Sequence, residues 1–395
     1  MIDSIVLSIP NFILYSDEFF TKAKYQELKG KHGIFARHST RYSDHPQRCK
    51  ANGRYFPQVH ITATERRWSG RFSVKPSSRR LVIQVSLPKL LYSVSVFDID
   101  ERLLPLVAQR LSDALKEIKV GVTPEGVLNA VVQRVDYSKI LKISPSFGTT
   151  ARVLRELAPY DMKQSSDFNR SHYHDGKDGF YLKFFNSSRG FVIYDKFDEI
   201  LTNGKTKLEL EISRQYVAGK WKKGALRIEL SLQKKQTVDA ALRRFIKPKK
   251  KDFTFRDAAN AKIAKTLLLE TFGQVYIKDF NRLVRLTGLK DAEMLALVSA
   301  KAAGFKERAA LYYLVHRVRD VGLRATVEEL KRDASPATVG RYKTAVERVL
   351  AGVDAKKDSV EVVGYLRRKL EAFTPVLPKR LDKTLGSVAD SEETV

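Results

Sequence analysis

The chain has 395 residues, 43% of them hydrophobic, with 72 Lys and Arg against 45 Asp and Glu, a formal charge of +27 at pH 7. The apolar content excludes a globally disordered chain, the length allows more than one domain, and the dispersed positive excess favours a polyanion, nucleic acid first. A single cysteine, Cys49, excludes an internal disulfide and a cysteine zinc cluster and fits a reducing compartment.

Residues 2 to 10 read as a short strand, with no basic segment before them of the kind a signal peptide carries. No stretch resembles a membrane span of about 20 apolar residues, so a cytoplasmic protein is expected. Residues 16 to 68 are polar and rich in Lys, Arg and Tyr; an irregular sheet or a surface excursion is expected there. Strand character returns over 69 to 98, and Pro88 ends the run Leu81 to Leu87 because it cannot donate to a ladder. From Asp98 to Ile118, Leu103, Leu104, Val107, Leu111 and Leu115 recur at helical spacing. Asp98 or Asp100 can cap that helix, and Pro105 puts its regular part close by.

Val131 to Tyr137 reads as a strand, Thr149 to Leu157 as a helix and Asp161 to Asp178 as a polar loop. A hairpin follows over 180 to 197, turning at Asn186-Ser-Ser-Arg-Gly190, and Lys207 to Tyr216 and Ala225 to Gln233 read as two more strands. This order predicts an α+β domain with a central, mainly antiparallel sheet over residues 1 to 235. An all-helical region is expected over 236 to 375, with helices at about 238 to 245, 255 to 272, 276 to 287, 291 to 302 and 305 to 320. Residues 326 to 333 and 336 to 350 form a helix-turn-helix-like pair in which Ser335 can cap and Pro336 takes the first helical position. Residues 376 to 395 are a polar tail.

Three strands carry the side chains of chemical interest. With period two, Val132, Arg134 and Asp136 share one face; Arg227, Glu229 and Ser231 share one; Val192, Tyr194 and Lys196 share one. One sheet could present Asp136, Glu229, Tyr194 and Lys196 together, a set suited to tyrosine attack on a phosphodiester. A free tyrosine has a pKa near 10, so ionising it at pH 7 costs about 4 kcal/mol. Mg²⁺ or Mn²⁺ on Asp136 and Glu229 would polarise the phosphate, and Lys196, Arg134 or Arg227 would take up developing charge. The product would be a covalent phosphotyrosine link. The bland reading of either Arg–carboxylate strand is a solvated sheet face.

Two other metal sites compete. His172-Tyr-His174 has the pattern of the paired histidines of HUH endonucleases, but its polar surroundings read as a loop. Asp195, Asp198 and Glu199 could also offer a ligand. Phosphate-loop and dinucleotide signatures are absent, so helicase action would come from a partner. Arg189 in the hairpin turn and Arg341, Lys343 and Arg348 on the last predicted helix are the expected DNA contacts.

At these residues the chain resembles the rolling-circle replication initiators of filamentous phages, the gene II and gene X replication proteins. Met1 to Pro10, Val82 to Phe97, Val132-Gln-Arg-Val-Asp136 and Leu226-Arg-Ile-Glu229 carry the resemblance. Phe185 to Lys196 also resembles plasmid initiators of the related replication-transferase class. The resemblance implies a site-specific nickase and strand transferase, with Asp136 and Glu229 matching metal carboxylates and Tyr194 the nucleophile; Tyr181 is the next choice. It further implies a bacterial host cytoplasm and, as partners, the double-stranded replicative-form origin and its plus strand. A host helicase, a single-stranded DNA-binding protein and a homodimer complete the expected partners. The alternatives are a non-enzymatic duplex DNA-binding protein, such as a repressor or packaging factor, and an HUH-type nickase using His172 and His174.

Overall fold

The computed structural model describes residues 1–16, 24–30, 33–42, 55–68, 71–72, 78–144, 149–157, 170–176, 179–203, 207–217, 224–246, 250–276, 291–321, 323–351 and 357–378. The helix expected at 276 to 287 and the tail beyond 378 lie outside them.

The strands are β1 (Ile2–Ile9), β2 (Ile13–Leu14), β3 (Lys24–Gly30), β4 (Gly33–Tyr42), β5 (Gln58–Trp68), β6 (Arg71–Phe72) and β7 (Ser78–Ser86). They continue with β8 (Val120–Gly121), β9 (Val131–Lys142), β10 (Arg170–Gly176), β11 (Gly179–Phe185), β12 (Arg189–Asp195) and β13 (Ala225–Leu232). Among the described residues eleven of these form one sheet in the order β10-β11-β12-β13-β9-β1-β7-β5-β4-β3, with β6 on β5. Every pairing in it is antiparallel. The polar segment after residue 16 is therefore regular sheet in its described parts. Its alternation is masked in sequence by Thr, Arg and His, yet Val59, Ile61 and Ala63 are buried beside Leu81, Ile83 and Val85.

The helices are α1 (Leu87–Tyr92), α2 (Leu104–Glu117), α3 (Pro124–Leu128), α4 (Thr150–Leu157), α5 (Lys196–Asn203), α6 (Lys207–Val217) and α7 (Lys235–Leu242). Then follow α8 (Phe255–Ala258), α9 (Ala261–Tyr276), α10 (Asp291–Ser299), α11 (Phe305–Val321), α12 (Leu323–Asp333), α13 (Pro336–Ala351) and α14 (Lys357–Ala372). An antiparallel sheet followed by a mainly helical region is the α+β architecture that the element order implied. No helix of the described residues is long and apolar enough to cross a membrane.

Two segments differ from their sequence reading. Lys207 to Tyr216 alternates like a strand but is helix α6, built from Leu, Glu, Arg and Gln, all good helix formers. Leu208 and Leu210 are exposed while Glu209 and Ile212, three apart, are buried. The polar loop expected over 161 to 178 contains β10, which pairs along its whole length with β11. Capping went as the residues indicated: Asp100 accepts the Arg102 N–H ahead of α2, and Ser335 Oγ accepts the Thr338 N–H at 3.3 Å at the start of α13.

Hydrophobic packing divides the helices beyond residue 235 into two groups. Phe253, Phe255, Leu267, Phe272, Leu366 and Leu370, from the α7–α9 region and α14, join the core of the sheet. Met294, Val298, Leu311, Val315, Val346 and Val349, from α10, α11 and α13, form a second core.

Candidate active site

One face of the sheet packs on helices; Tyr137, for example, donates its hydroxyl to the Ala258 carbonyl at 3.1 Å. The opposite face carries the residues of chemical interest. The register aligns Tyr194 with Arg227, Val192 with Glu229, Glu229 with Ser138, Ser231 with Asp136, and Asp136 with Ser4. Residues aligned in this way point to one side, so three adjacent strands bring Tyr194, Arg227, Glu229 and Asp136 onto a common surface, with Ser4 on a fourth.

The Tyr194 hydroxyl donates to Glu229 Oε2 at 3.3 Å, and Ser231 Oγ lies 3.5 Å from the other oxygen. Tyr194 and Glu229 are both half-buried. Burial pushes the Tyr194 pKa well above 10; the Arg227 charge opposes the shift and Glu229 adds to it. Burial, then the Asp3 and Asp136 carboxylates, push Glu229 up to about 8.

Arg227 is the electrostatic centre of the site. Its side chain is 1% exposed, Nη1 donates to Asp3 Oδ1 at 2.7 Å and Nη2 to the Ser95 carbonyl at 2.6 Å. Its Nε has no hydrogen-bond partner among the described residues. Burial alone would weaken its proton affinity, but Asp3, Tyr194 and Glu229 raise it, so the guanidinium stays charged. The same ion pair holds Asp3 below the usual carboxylate range against its burial. Ser95 in turn is fixed by Glu209, which is fully buried in α6 and accepts from Ser95 Oγ at 3.1 Å and pairs with Lys89 at 2.9 Å. The helix misread as a strand thus orients the site arginine through the Ser95 backbone.

Simple alternation puts Arg134 on the side of Asp136, as found, but misplaces Val132 and Asp3. Gln133 and Arg134 are both half-buried between the buried Val132 and Val135, and the register shifts between Val6 and Leu7, so β9 bulges there. Arg134 then lies over Asp136, donating Nε at 3.2 Å and Nη2 at 2.9 Å to its two oxygens; Ser4 Oγ also donates to Asp136. A second shift between Ile2 and Ser4 turns Asp3 toward Arg227. No sequence signal marked Asp3, because period two assigns it to the side of Ile5 and Leu7.

Lys196 begins α5 rather than ending β12. Its ammonium is 2% exposed, pairs with Glu199 at 2.5 Å and lies 5.5 Å from the centre of the Tyr194 ring. Burial and the Arg227 charge lower its pKa, with Glu199 resisting. Asp195 is buried on the other side of β12 and accepts from Thr150 Oγ1 and from the Phe197 N–H at 2.9 Å, so it caps α5.

Burial, and then Asp198, raise the Asp195 pKa to about 7, against a reference near 3.8. The native state therefore binds this proton more tightly than the unfolded chain. The associated stability is complete below about pH 4 and is lost as pH rises to about 7, by about 4 kcal/mol at most. Urea midpoints are expected to fall over that window, and Asp195→Asn to flatten the fall. An unchanged slope in the variant would refute the assignment.

The remaining expected residues fall elsewhere. Arg189 is at the turn end of β12, five residues from Tyr194 and about 17 Å away along the strand. Arg341, Lys343 and Arg348 are exposed on α13, whose inward Val346 and Val349 belong to the second core. His172 and His174 are on strand β10, not in a loop, aligned with Lys183 and Tyr181 of β11. Tyr181 aligns with Tyr194 in the next strand. At about 4.8 Å per strand, His172 is about 14 Å from Glu229, so histidines and carboxylates are not ligands of one ion.

Among the described residues no group of three or more His, Cys, Asp or Glu side chains is arranged to hold a metal. A two-carboxylate set such as Asp136 and Glu229 suits Mg²⁺, which takes one or two carboxylates and fills its shell with water and substrate phosphate. Comparisons with protein-family models, curated proteins and solved structures give no match.

Proposed function

We propose that this protein is a DNA nicking and strand-transfer enzyme that works through a covalent 5′-phosphotyrosine. The observation that carries the reading is the hydrogen bond from Tyr194 to Glu229, beside the buried Arg227 and Lys196. A half-buried phenol with a raised pKa needs a proton acceptor, and a carboxylate with a pKa of about 8 is well matched to that task.

In the forward step the Tyr194 oxygen bonds to phosphorus and its proton passes to Glu229. The bond from phosphorus to the 3′ oxygen breaks, and Glu229 returns the proton to that oxygen, leaving a 3′ hydroxyl. Resealing is the reverse, with a 3′ hydroxyl displacing the tyrosine. Arg227 and Lys196 supply positive charge for the developing phosphate oxyanions. Asp136 and Glu229 would hold Mg²⁺ or Mn²⁺, which supplies Lewis-acid polarisation of the phosphate when bound. The resemblance to phage initiators supports placing the reaction at a replication origin in a bacterial host, with helicase and single-strand binding supplied by host proteins.

The test uses the full chain and a 3′-labelled pool of random single-stranded oligonucleotides. Attachment through a 5′ phosphate retains the 3′ label on protein in a denaturing gel. The expected result is an adduct with Mg²⁺ or Mn²⁺ and none in excess chelator. Full adduct yield in chelator would remove the metal from the reaction. No adduct on this pool or on supercoiled plasmid would instead favour a duplex-binding protein whose carboxylates only hold the sheet together.

A further inference from the structure

The surface that carries Tyr194 and Asp136 does not stop at β9. It continues across β1, which lends Asp3 and Ser4 to the site, and on through β7, β5, β4 and β3, which the chemistry does not use. The register extends the same side outward: Arg134 aligns with Val6 and Val6 with Gln84. Arg80, two strands from β9, donates Nε to Ser8 Oγ at 3.2 Å on this side. Arg80 aligns with Thr62, Thr62 with Ser39, and Ser39 with Lys24; a parallel row runs from Thr64 through Arg37 to Gln26. Lys24, Gln26, Arg80 and Gln84 are exposed. Val59, Ile61, Leu81, Ile83, Ile5 and Leu7 are buried on the reverse, while Val6 and Val82 are half-buried on this side.

Charge on this half is segregated. Residues 16 to 80 hold fifteen Lys and Arg against five Asp and Glu. In the described strands the register assigns Glu27 and Glu65 to an intervening row with Ala36, not to the rows of Arg80 and Arg37. The surface that remains offers guanidinium, ammonium, amide and hydroxyl donors. These are the groups that contact the phosphate backbone of nucleic acid. The rows of Arg80 and Arg37 contain no aromatic residue, and stacking platforms are what single strands require. From β9 to β3 it spans five strand spacings, about 24 Å, which is comparable to most of a turn of duplex.

We infer that the β1–β7–β5–β4–β3 surface is a docking platform for the backbone of double-stranded DNA, leading directly into the Tyr194 site. It would hold the duplex beside the nick without reading its sequence. The inference rests on the nicking reading only in taking DNA as the polyanion, and its test separates the two.

The experiment measures binding of a short blunt duplex of mixed sequence to the full chain over a salt series. Lys24→Gln with Arg80→Gln in one protein is expected to weaken duplex binding at least tenfold at low salt. The slope of log affinity against log salt should also fall by about two, one for each lost phosphate contact. Covalent adduct formation on single-stranded oligonucleotides should be unchanged, which also shows that the variant folds. A matching pair on the helical region, Arg341→Gln with Lys343→Gln, should leave the slope unaltered. Wild-type affinity and slope in the sheet variant, or a larger drop in the α13 variant, would overturn the inference. If no adduct forms even with the wild-type protein, the nicking reading fails while the binding comparison still decides this one.

Discussion

Tyr194→Phe is expected to fold normally and to form no detectable covalent adduct with DNA. Phe keeps the ring over which Lys196 lies and removes the oxygen proposed to attack phosphorus. The loss to folding is a single half-buried hydrogen bond to Glu229, about 1 kcal/mol. Glu229→Gln keeps the shape of the acceptor but cannot take the proton, and the rate of adduct formation should drop about 10² to 10⁴-fold. Denaturing gels and peptide mapping check both results. An adduct that persists in Tyr194→Phe and maps to Tyr181, its cross-strand neighbour, would move the nucleophile one strand outward.

The second large effect concerns the helices. A chain ending at residue 235 is expected not to fold. It would lack Phe253, Phe255, Ile263, Leu267, Phe272, Tyr276, Val362, Leu366 and Leu370, all buried in the core of the sheet. At about 2 kcal/mol for each buried side chain the loss is about 18 kcal/mol, larger than the 5–15 kcal/mol that holds a typical domain together. A full chain with residues 288 to 354 replaced by a flexible Gly-Ser linker should behave differently. The residues it removes include the whole second core but leave α9 and α14, which pack on each other and on the sheet. It should show a cooperative thermal transition and retain adduct formation on single strands. A folded, active 1–235 fragment, or an unfolded linker variant, would reverse this account of which helices stabilise the sheet.

The sequence was sufficient wherever a local pattern and a tertiary contact agreed. The strand Ala225 to Gln233 alternates cleanly, and its neighbours leave Arg227, Glu229 and Ser231 on one side, as the pattern requires. The hairpin turn at Asn186 is also legible, because the Asn186 side chain accepts the Ser188 and Arg189 N–H groups locally, each at 2.7 Å. The meeting of Tyr194 with Glu229 follows from two such strands being adjacent.

Other features depended on distant partners. Lys207 to Tyr216 alternates Leu and Glu, which fits a strand in isolation. It becomes a helix where Glu209 finds Lys89 and Ser95, more than a hundred residues away. Residues 16 to 68 show no clear period because one side of that sheet is solvated and basic, and only pairing with β7 reveals which side is inward. Asp3 was invisible because a bulge reverses a side chain without leaving any mark in composition. Composition and alternation determined the class of fold, the positive charge and most of the candidate site. Long-range pairing decided which carboxylates surround Arg227, since a buried charge is stable only where several strands and loops together supply its partners.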